Sequence, residues 1–584
     1  MKKIYCYLTA LCSVFILGSC GESFLAKDAQ GVISQEALQN ATGVNLLTID
    51  AYAGLSTWAN TNYDPYQQTP FNWVFGGIYG GDANKGSDPG DQSVVNEIEL
   101  YNTLTTNNYV EQKWAWVYTV SHRVNLALQM IPMAKDMDEA TRKSREGELR
   151  FIKALAYFEG IRVFGPYIPY VPGDNTENDP KIHNDKDIYE NVVADIDAAI
   201  SLLPNTQTDV GRPNVWAAKA LKAKILVYQQ KYAEAETLLA DIIAHGVTSN
   251  GLKYGLEDNL NNNFDALTEN GKESIFALQF SNAAQDTGNA AWCLNYPHNS
   301  GPGGCCGFYQ PSYELVNSFQ VDKDGLPYLN GEYRKLPSVS KRGGVGEAVG
   351  VNDNTIAVDP RLDFAVGRFG IPYKDWGLPA NDWVRNPVNG GIFMPKKHVF
   401  SKAEDRAGMK AIFNGWAPGS AMNIEYLSVR DMILLYAECL AQDGKMAQAM
   451  EQVNKIRQRA GLEVNIVRMP DGSPAANYKI SLYPSTHPAF TDKETCLKAV
   501  RMERKLELAM EGERWFDLAR WGGDYMEKEL REYVNYEKQY IPKFASASPL
   551  PAAKTMLPIP ENQIQMEGND EKGTPWLIQA KPWQ

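Results

Sequence analysis

Apolar side chains return every three or four residues along 111–133, EQKWAWVYTVSHRVNLALQMIPM, where Trp114, Val117, Val120, Val124 and Leu128 share a face. That spacing predicts an amphipathic helix. The rhythm recurs in pairs. KAKILVYQQKYAEAETLLADII (222–243) and VRDMILLYAECLAQDGKMAQAMEQVNKIR (429–457) follow one plan. A helix ends near Tyr228 or Tyr436, the chain breaks briefly, and Lys231-Tyr232-Ala233-Glu234-Ala235 or Lys445-Met446-Ala447-Gln448-Ala449 opens the next helix. Small Ala side chains at the crossing let two helices approach. Segments 146–163 and 187–202 predict a further hairpin. Such hairpins bury their faces only by stacking on neighbours, as tetratricopeptide-like repeats do. The predicted fold is mostly α: a tetratricopeptide-like helix-hairpin scaffold, an α-α superhelix.

Between the helical pairs the pattern changes. Residues 246–425 are rich in Gly, Pro and Asn, with short strand candidates such as SIFALQF at 274–280. Long loops in a compact protein tend to carry function. The division is therefore a helical-repeat region at 35–245, a loop-rich, minor-β excursion at 246–425 carrying the ligand site, and a C-terminal helical region at 426–584. A chain of 584 residues also exceeds what one hydrophobic core usually supports.

Residues 1–20, MKKIYCYLTALCSVFILGSC, begin with Lys2 and Lys3, run apolar from Ile4 to Leu17 and reach small residues before Cys20. This is the pattern of a secretory signal peptide at 1–19, too short to span a membrane. Residues 20–34 then form a tether, and Ser34 is placed to cap the first helix.

The most constrained segment is RMERKLELAMEGERWFDLARWGG, 501–523. Glu503, Glu507 and Glu511 fall four apart on one helical face. Arg501, Arg504 and Arg514 are the arginines expected to pair with them. Gly512 breaks the helix, and Trp515, Phe516, Leu518 and Trp521 place an apolar surface on the next turn. Carboxylates on one helix face point the same way, whereas a glycosidase needs two facing each other across the scissile bond. The segment therefore reads as scaffold.

It closely resembles the C-terminal signature of the SusD/RagB family of outer-membrane nutrient-uptake lipoproteins, E-R-x-x-E-L-x-x-E-G-x-R-W-x-D-L-x-R-W-G. Glu503, Arg504, Glu507, Leu508, Glu511, Gly512, Arg514, Trp515, Asp517, Leu518, Arg520, Trp521 and Gly522 meet it. Other family patterns are similar to Trp114, Tyr118 and Asn125, and to Gly147, Glu148, Phe151, Ala154, Tyr157, Phe158, Phe164, Gly165 and Pro169, with Lys153 where Arg is usual. Asp359-Pro360-Arg361-Leu362 resembles the family's DPR motif, read as a turn, and Leu557-Pro558-Ile559-Pro560 its L-P-I-P segment. Near the start Phe24, Leu25 and Gly31 fit, while Ala26 departs. The usual Q-N-P-G-Y ending is replaced by PWLIQAKPWQ. Leu17-Gly18-Ser19-Cys20 resembles a bacterial lipobox.

The resemblance implies that Cys20 is lipidated and that the protein sits on the outer membrane, facing the cell exterior. It implies capture of glycan and its delivery to a TonB-dependent, SusC-like transporter. It implies no enzyme activity and no cofactor. Two other readings are weighed beside it: an exported lipoprotein glycosidase, and a helical-repeat scaffold for protein interactions.

Composition agrees with a binding protein away from nucleic acid. The formal charge is −13 with no basic cluster. The six histidines lie outside any HExxH motif, and G-x-S-x-G and GxxxxGK[ST] are absent. Gly344, Gly346 and Gly350 imitate a dinucleotide loop at the wrong spacing. Asp322-Lys323-Asp324-Gly325 resembles a fragment of a calcium loop but lacks the third acidic ligand and the distal Glu, so it reads as a turn. Calcium elsewhere is left open, with no motif for it. No CxxC pair marks a metal site. Once the signal peptide is removed, Cys20, Cys293, Cys305, Cys306, Cys439 and Cys496 remain. A bridge from Cys293 to Cys305 or Cys306 would stiffen the GPGGCCG loop in an oxidising compartment; Cys439 reads as a core residue.

The positive signal is aromatics in polar loops. Trp58, Tyr63, Tyr66, Trp73 and Tyr79 are interleaved with polar residues. Trp292, Tyr296, Tyr309 and Tyr313 bracket the Cys-rich loop, and Tyr373, Trp376, Trp383 and Trp416 follow. Sugars offer an apolar C–H face to a ring and a rim of hydroxyls to polar side chains. Trp292, Tyr296, Tyr309, Trp73, Tyr79, Trp376 and Trp383 are the candidate glycan contacts. The competing reading is that loop aromatics plug onto the scaffold.

Overall fold

The computed structural model describes residues 35–584 except 57–64, 69–70, 176–179, 283–288, 345, 414–416 and 549. The signal peptide, Cys20, Ser34, Trp58, Tyr63 and Trp416 lie outside the described residues. Helices α1 (Ala41–Leu55), α2 (Asn108–Met130), α3 (Glu139–Phe164), α4 (Tyr189–Leu202), α5 (Val215–Tyr228) and α6 (Tyr232–His245) follow one another. After the excursion come α7 (Val429–Gln442), α8 (Met446–Ala460), α9 (Lys493–Glu507), α10 (Arg514–Arg520) and α11 (Gly523–Glu537). Each helix from α1 to α9 packs on the next, as α10 does on α11, and α6 meets α7 directly across the intervening chain. This is the tetratricopeptide-like stack that the repeats predict, with the excursion inserted between adjacent hairpins.

Local chemistry sets the helix starts. Asn40, Asn107, Asp138, Asn214, Ser428 and Asp492 each accept a backbone N–H of the first turn, capping α1, α2, α3, α5, α7 and α9. Helix α3 runs longer than its apolar pattern, and every residue from Gly147 to Phe164 except Arg150 is buried. A helix covered on all sides is a central one. Gly147 permits this: a Cβ there would lie 2.9 Å from a Leu203 side-chain carbon.

The strands form two-stranded antiparallel pairs. Strand β1 (Ala83–Lys85) pairs with β3 (Tyr309–Pro311), and β2 (Ser274–Leu278) with Ile424–Ser428. The second pair joins the two ends of the excursion at its root, just before α7. Ser340–Arg342 pairs antiparallel with Gly350–Asn352, and Asp322 closes a turn by accepting the N–H groups of Asp324 and Leu326.

A buried ionic lattice fastens the excursion to the C-terminal helices. Arg361 donates to Asp359 at 2.7 Å, Glu503 at 2.6 Å and Glu507 at 3.1 Å. Glu503 also accepts from Arg457 at 3.1 Å, and Glu507 from Arg459. Glu511 accepts from Arg430 at 2.9 Å and Lys397 at 2.6 Å. The glutamates therefore pair with arginines from other elements, which corrects the expected pairing inside the signature. Arg504 turns to Asp517 and Asp431, and Arg501 lies over the rings of Trp521 and Tyr525. Arg514 faces Glu529 at 3.6 Å. The DPR segment, expected as a turn, opens a short helix at Arg361–Ala365, and its Arg361 supplies the central cation of the lattice.

Candidate functional site

Three loop segments meet where β1 pairs with β3: 85–92, 294–309 and 376–390. Their joints are polar. The Asn389 amide donates to the carbonyls of Lys85, Gly86 and Ser87 at 3.3, 3.1 and 2.9 Å. Arg385 spans to Asp88 at 2.8 Å and Asp91 at 3.1 Å. Asp382 accepts from Asn299 and from the Ser300 hydroxyl, both at 2.7 Å, while His298 N–H donates to the Trp383 carbonyl. The Ser300 hydrogen bonds hold the Asp382 carboxyl below the usual range. Asn299, Ser300, Asn381 and Arg385 are exposed. The face thus presents donors and acceptors whose directions are fixed by neighbours.

Beneath it lies an aromatic interior. Trp292 meets Phe71 at 5.0 Å, Tyr309 at 5.6 Å and His398 at 4.9 Å between ring centroids. Trp73 meets Tyr309 at 6.1 Å and donates its Nε1–H to the Tyr66 carbonyl. Tyr296 packs on Phe400, Trp383 on Tyr373, and Tyr79 on Trp515 and Tyr101. Burial pushes the His398 imidazole down to about 3, so it sits there neutral.

The structure brings Trp73, Trp292 and Tyr309 into one cluster but buries it. Trp292 is 2% exposed, Trp73 1%, and Tyr79, Tyr296 and Tyr309 are fully covered; Trp383 is 5% exposed. These six offer no ring face to solvent, against the expectation of an exposed platform. The reason is close approach: Gly77 at the cluster's edge leaves no room even for a Cβ against Tyr309. Trp376 differs. It is half-buried, with Nε1–H donating to the Phe400 carbonyl at 2.9 Å and Lys402 5.3 Å above its ring, beside exposed Leu378. Cys305 joins Cys306, its sequence neighbour, and Cys293 is buried as a thiol, so the expected bridge to Cys293 is not the one formed.

The residues that pattern reading missed are the polar ones on this face, Asn299, Ser300, Asp382 and Arg385. Their signal was their density in a Gly- and Pro-rich stretch. Each carboxylate here is engaged, Asp382 by Asn299 and Ser300, Asp88 and Asp91 by Arg385. Among the described residues no cluster of His, Cys, Asp or Glu is arranged to hold a metal ion.

Residues 272–572, more than half the chain, match the model of the SusD family, and 49–227 match a family described as starch-binding associating with outer membrane. The chain belongs to the SusD family. A curated relative, SusD-like protein P38 of Formosa agariphila, is 25% identical over 534 residues, covering 89% of this chain and 91% of the relative. A SusD superfamily protein of Bacteroides vulgatus superposes with a TM-score of 0.64 at 19% identity, covering 93% of this chain and 99% of the other. Surface glycan-binding protein A of Bacteroides thetaiotaomicron, solved with laminarihexaose, gives 0.60 at 17%, covering 92% and 99%. These likenesses show that the SusD-family fold extends over nearly the whole chain. No described helix is long and apolar enough to cross a membrane.

Proposed function

We propose that this protein binds glycan at the cell surface and passes oligosaccharide to a TonB-dependent, SusC-like transporter, without turnover. The observation that carries the reading is the loop face itself. A rim of oriented hydrogen-bonding groups is held over a rigid aromatic interior, projecting from a helical stack whose family includes a solved glycan complex. Sugar hydroxyls pair with such a rim. Trp376, with Asn299, Ser300 and Arg385, is our choice for direct contact; Trp73, Tyr79, Trp292, Tyr296, Tyr309 and Trp383 hold the loops in place. The lipobox-like sequence ending at Cys20 supports anchoring in the outer membrane, because several acyl chains give stable attachment where one does not.

Calorimetry of the soluble chain against a polysaccharide panel that includes laminarin, with a reducing-end assay in parallel, tests this reading. Saturable binding without product release is expected. A folded protein that binds none of the panel favours the protein-interaction scaffold, and product release favours the glycosidase.

A further inference from the structure

On another part of the molecule, the 329–335 loop closes against α9 and α11 around a cavity of about 90 Å³. Its lining is cationic in an acidic protein: Arg334, Lys498, Arg501, Lys505, Arg514 and Lys528 all face it. The carboxylates around it, Glu529 and Glu532 in the lining itself, take part of this charge, and Lys498 pairs with Glu494 at 3.1 Å. Glu314 takes Lys505 at 2.7 Å and Arg334 at 2.8 Å; Glu529 and Glu532 also turn to Arg334. Lys528 reaches Glu532 only at 4.0 Å, with both side chains in solvent.

Arg514 is the telling group. It is 8% exposed, yet its guanidinium donates no hydrogen bond among the described residues; the carboxylate of Glu529 stands 3.6 Å away. That is well beyond the 2.7–2.9 Å or so of a charge-assisted hydrogen bond. Arg501 beside it rests on Trp521 and Tyr525 and forms no ion pair among the described residues. The Arg501 Nε–H is buried without a hydrogen-bond partner among the described residues, which carries a cost unless an acceptor arrives. Guanidinium forks match the oxygens of compact anions, and a narrow cavity whose lining holds six cations against Glu529 and Glu532 favours an anion.

We propose that this cavity is a binding site for a compact oxyanion group, a sulfate, phosphate or carboxylate, held by Arg514 and Arg501 at its base with Lys498 and Lys528 at the rim. A charged substituent on a glycan would enter this cavity with its sugar ring held at the mouth. The site is independent of the loop face and stands or falls apart from it.

The test is calorimetry of the full mature chain with sodium sulfate and with sodium phosphate, at ionic strength held constant with chloride. Galactose 6-sulfate and galactose separate a substituent on sugar from a free ion. Saturable binding of sulfate or phosphate is expected, weakened at least tenfold in the Arg501→Gln/Lys498→Gln double variant with its melting temperature retained. Tighter binding of galactose 6-sulfate than of sulfate assigns the site to a sugar-borne group, and equal binding assigns it to the free ion. No saturable binding by the wild-type chain, or unchanged binding in the folded double variant, overturns the proposal. Should the double variant not fold, Lys528→Gln, which alters only the exposed rim, is expected to weaken binding measurably, and an unchanged value overturns it.

Discussion

Arg361 and Glu503, separated by 142 positions in the chain, are joined by a 2.6 Å hydrogen-bonded ion pair in the interior. The same guanidinium holds Asp359 and Glu507, so one side chain from the excursion bridges three carboxylates, two of which Arg457 and Arg459 also pair. Removing one partner of a buried pair leaves the other charge uncompensated, at about 3–5 kcal/mol. Arg361→Ala is expected to lower stability by at least that range in urea denaturation followed by circular dichroism. An unchanged midpoint would mean that water replaces the guanidinium without loss.

Gly76 presses on Gly512, whose backbone takes φ +77°. A Cβ at residue 76 would lie 1.6 Å from the Gly512 carbonyl oxygen, an obstacle that no rotamer change removes. Overpacking typically costs about 1–3 kcal/mol, and a backbone clash belongs at or above the upper end. Gly76→Ala is expected to lower the melting temperature sharply, and a wild-type value would show that the two segments separate freely.

Acid and base act on different carboxylates. Burial alone would raise Glu511, but Arg430 and Lys397 outweigh it and hold the carboxyl at about 2; Arg162 and Lys113 do the same for Glu159. Their folded values lie below the unfolded one, so their contribution is complete above about pH 4.5 and is lost as pH falls towards 2. Each is worth about 3 kcal/mol by linkage. Glu537 runs the other way. Burial pushes it up to about 8, against donation from Asn84 and the Glu314 N–H and with the Glu314 carboxylate adding to the rise. The folded state keeps this proton while the unfolded chain releases it, so stability falls as pH rises from about 4.5 to 8. Glu537→Gln is expected to flatten that decline, by up to about 5 kcal/mol. Denaturation midpoints at pH 5 and pH 8 check it; parallel curves for variant and wild type would remove Glu537 from the account.

Trp292→Ala and Trp376→Ala are expected to separate packing from contact. Trp292 fills the interior, and emptying a large aromatic site costs about 3–5 kcal/mol. Trp376 is half-buried at the loop surface; its loss is expected to leave the melting temperature within a few degrees and to weaken glycan binding about tenfold. Calorimetry with a bound polysaccharide, beside thermal melts, reads both. Equal affinity in a folded Trp376→Ala variant would move the contact surface elsewhere.

The stacked helices are legible in the sequence because their causes are local. Apolar spacing, an Asn or Asp cap and an Ala crossing all lie within one hairpin. The glutamates of 503–511 are legible as structural, but their partners are not. Arg361, Arg457 and Arg459 carry no local mark that aims them at α9, and only the folded chain brings them there. The loop aromatics fail for a related reason. Trp292 and Trp376 both sit in polar stretches with similar neighbours, and what separates a plug from a platform is the approach of Phe71, Tyr309 and His398 from distant segments. The distant pairing of Arg514 with Glu529 is likewise invisible until Glu507 and Glu511 are seen to be taken by others.

The packing of α6 on α7 carries an implication for how such a protein diversifies. Ile243, near the end of α6, and Val429, at the start of α7, border the same cavity, so the excursion leaves and re-enters the stack at one place. Residues added at a surface tip such as 377–381 need not shift the phase of the helices on either side. Their burden is loop closure, about 0.6 kcal/mol for each doubling of length. Natural variation can therefore rewrite the tips to suit a new carbohydrate while the stack beneath keeps the same register.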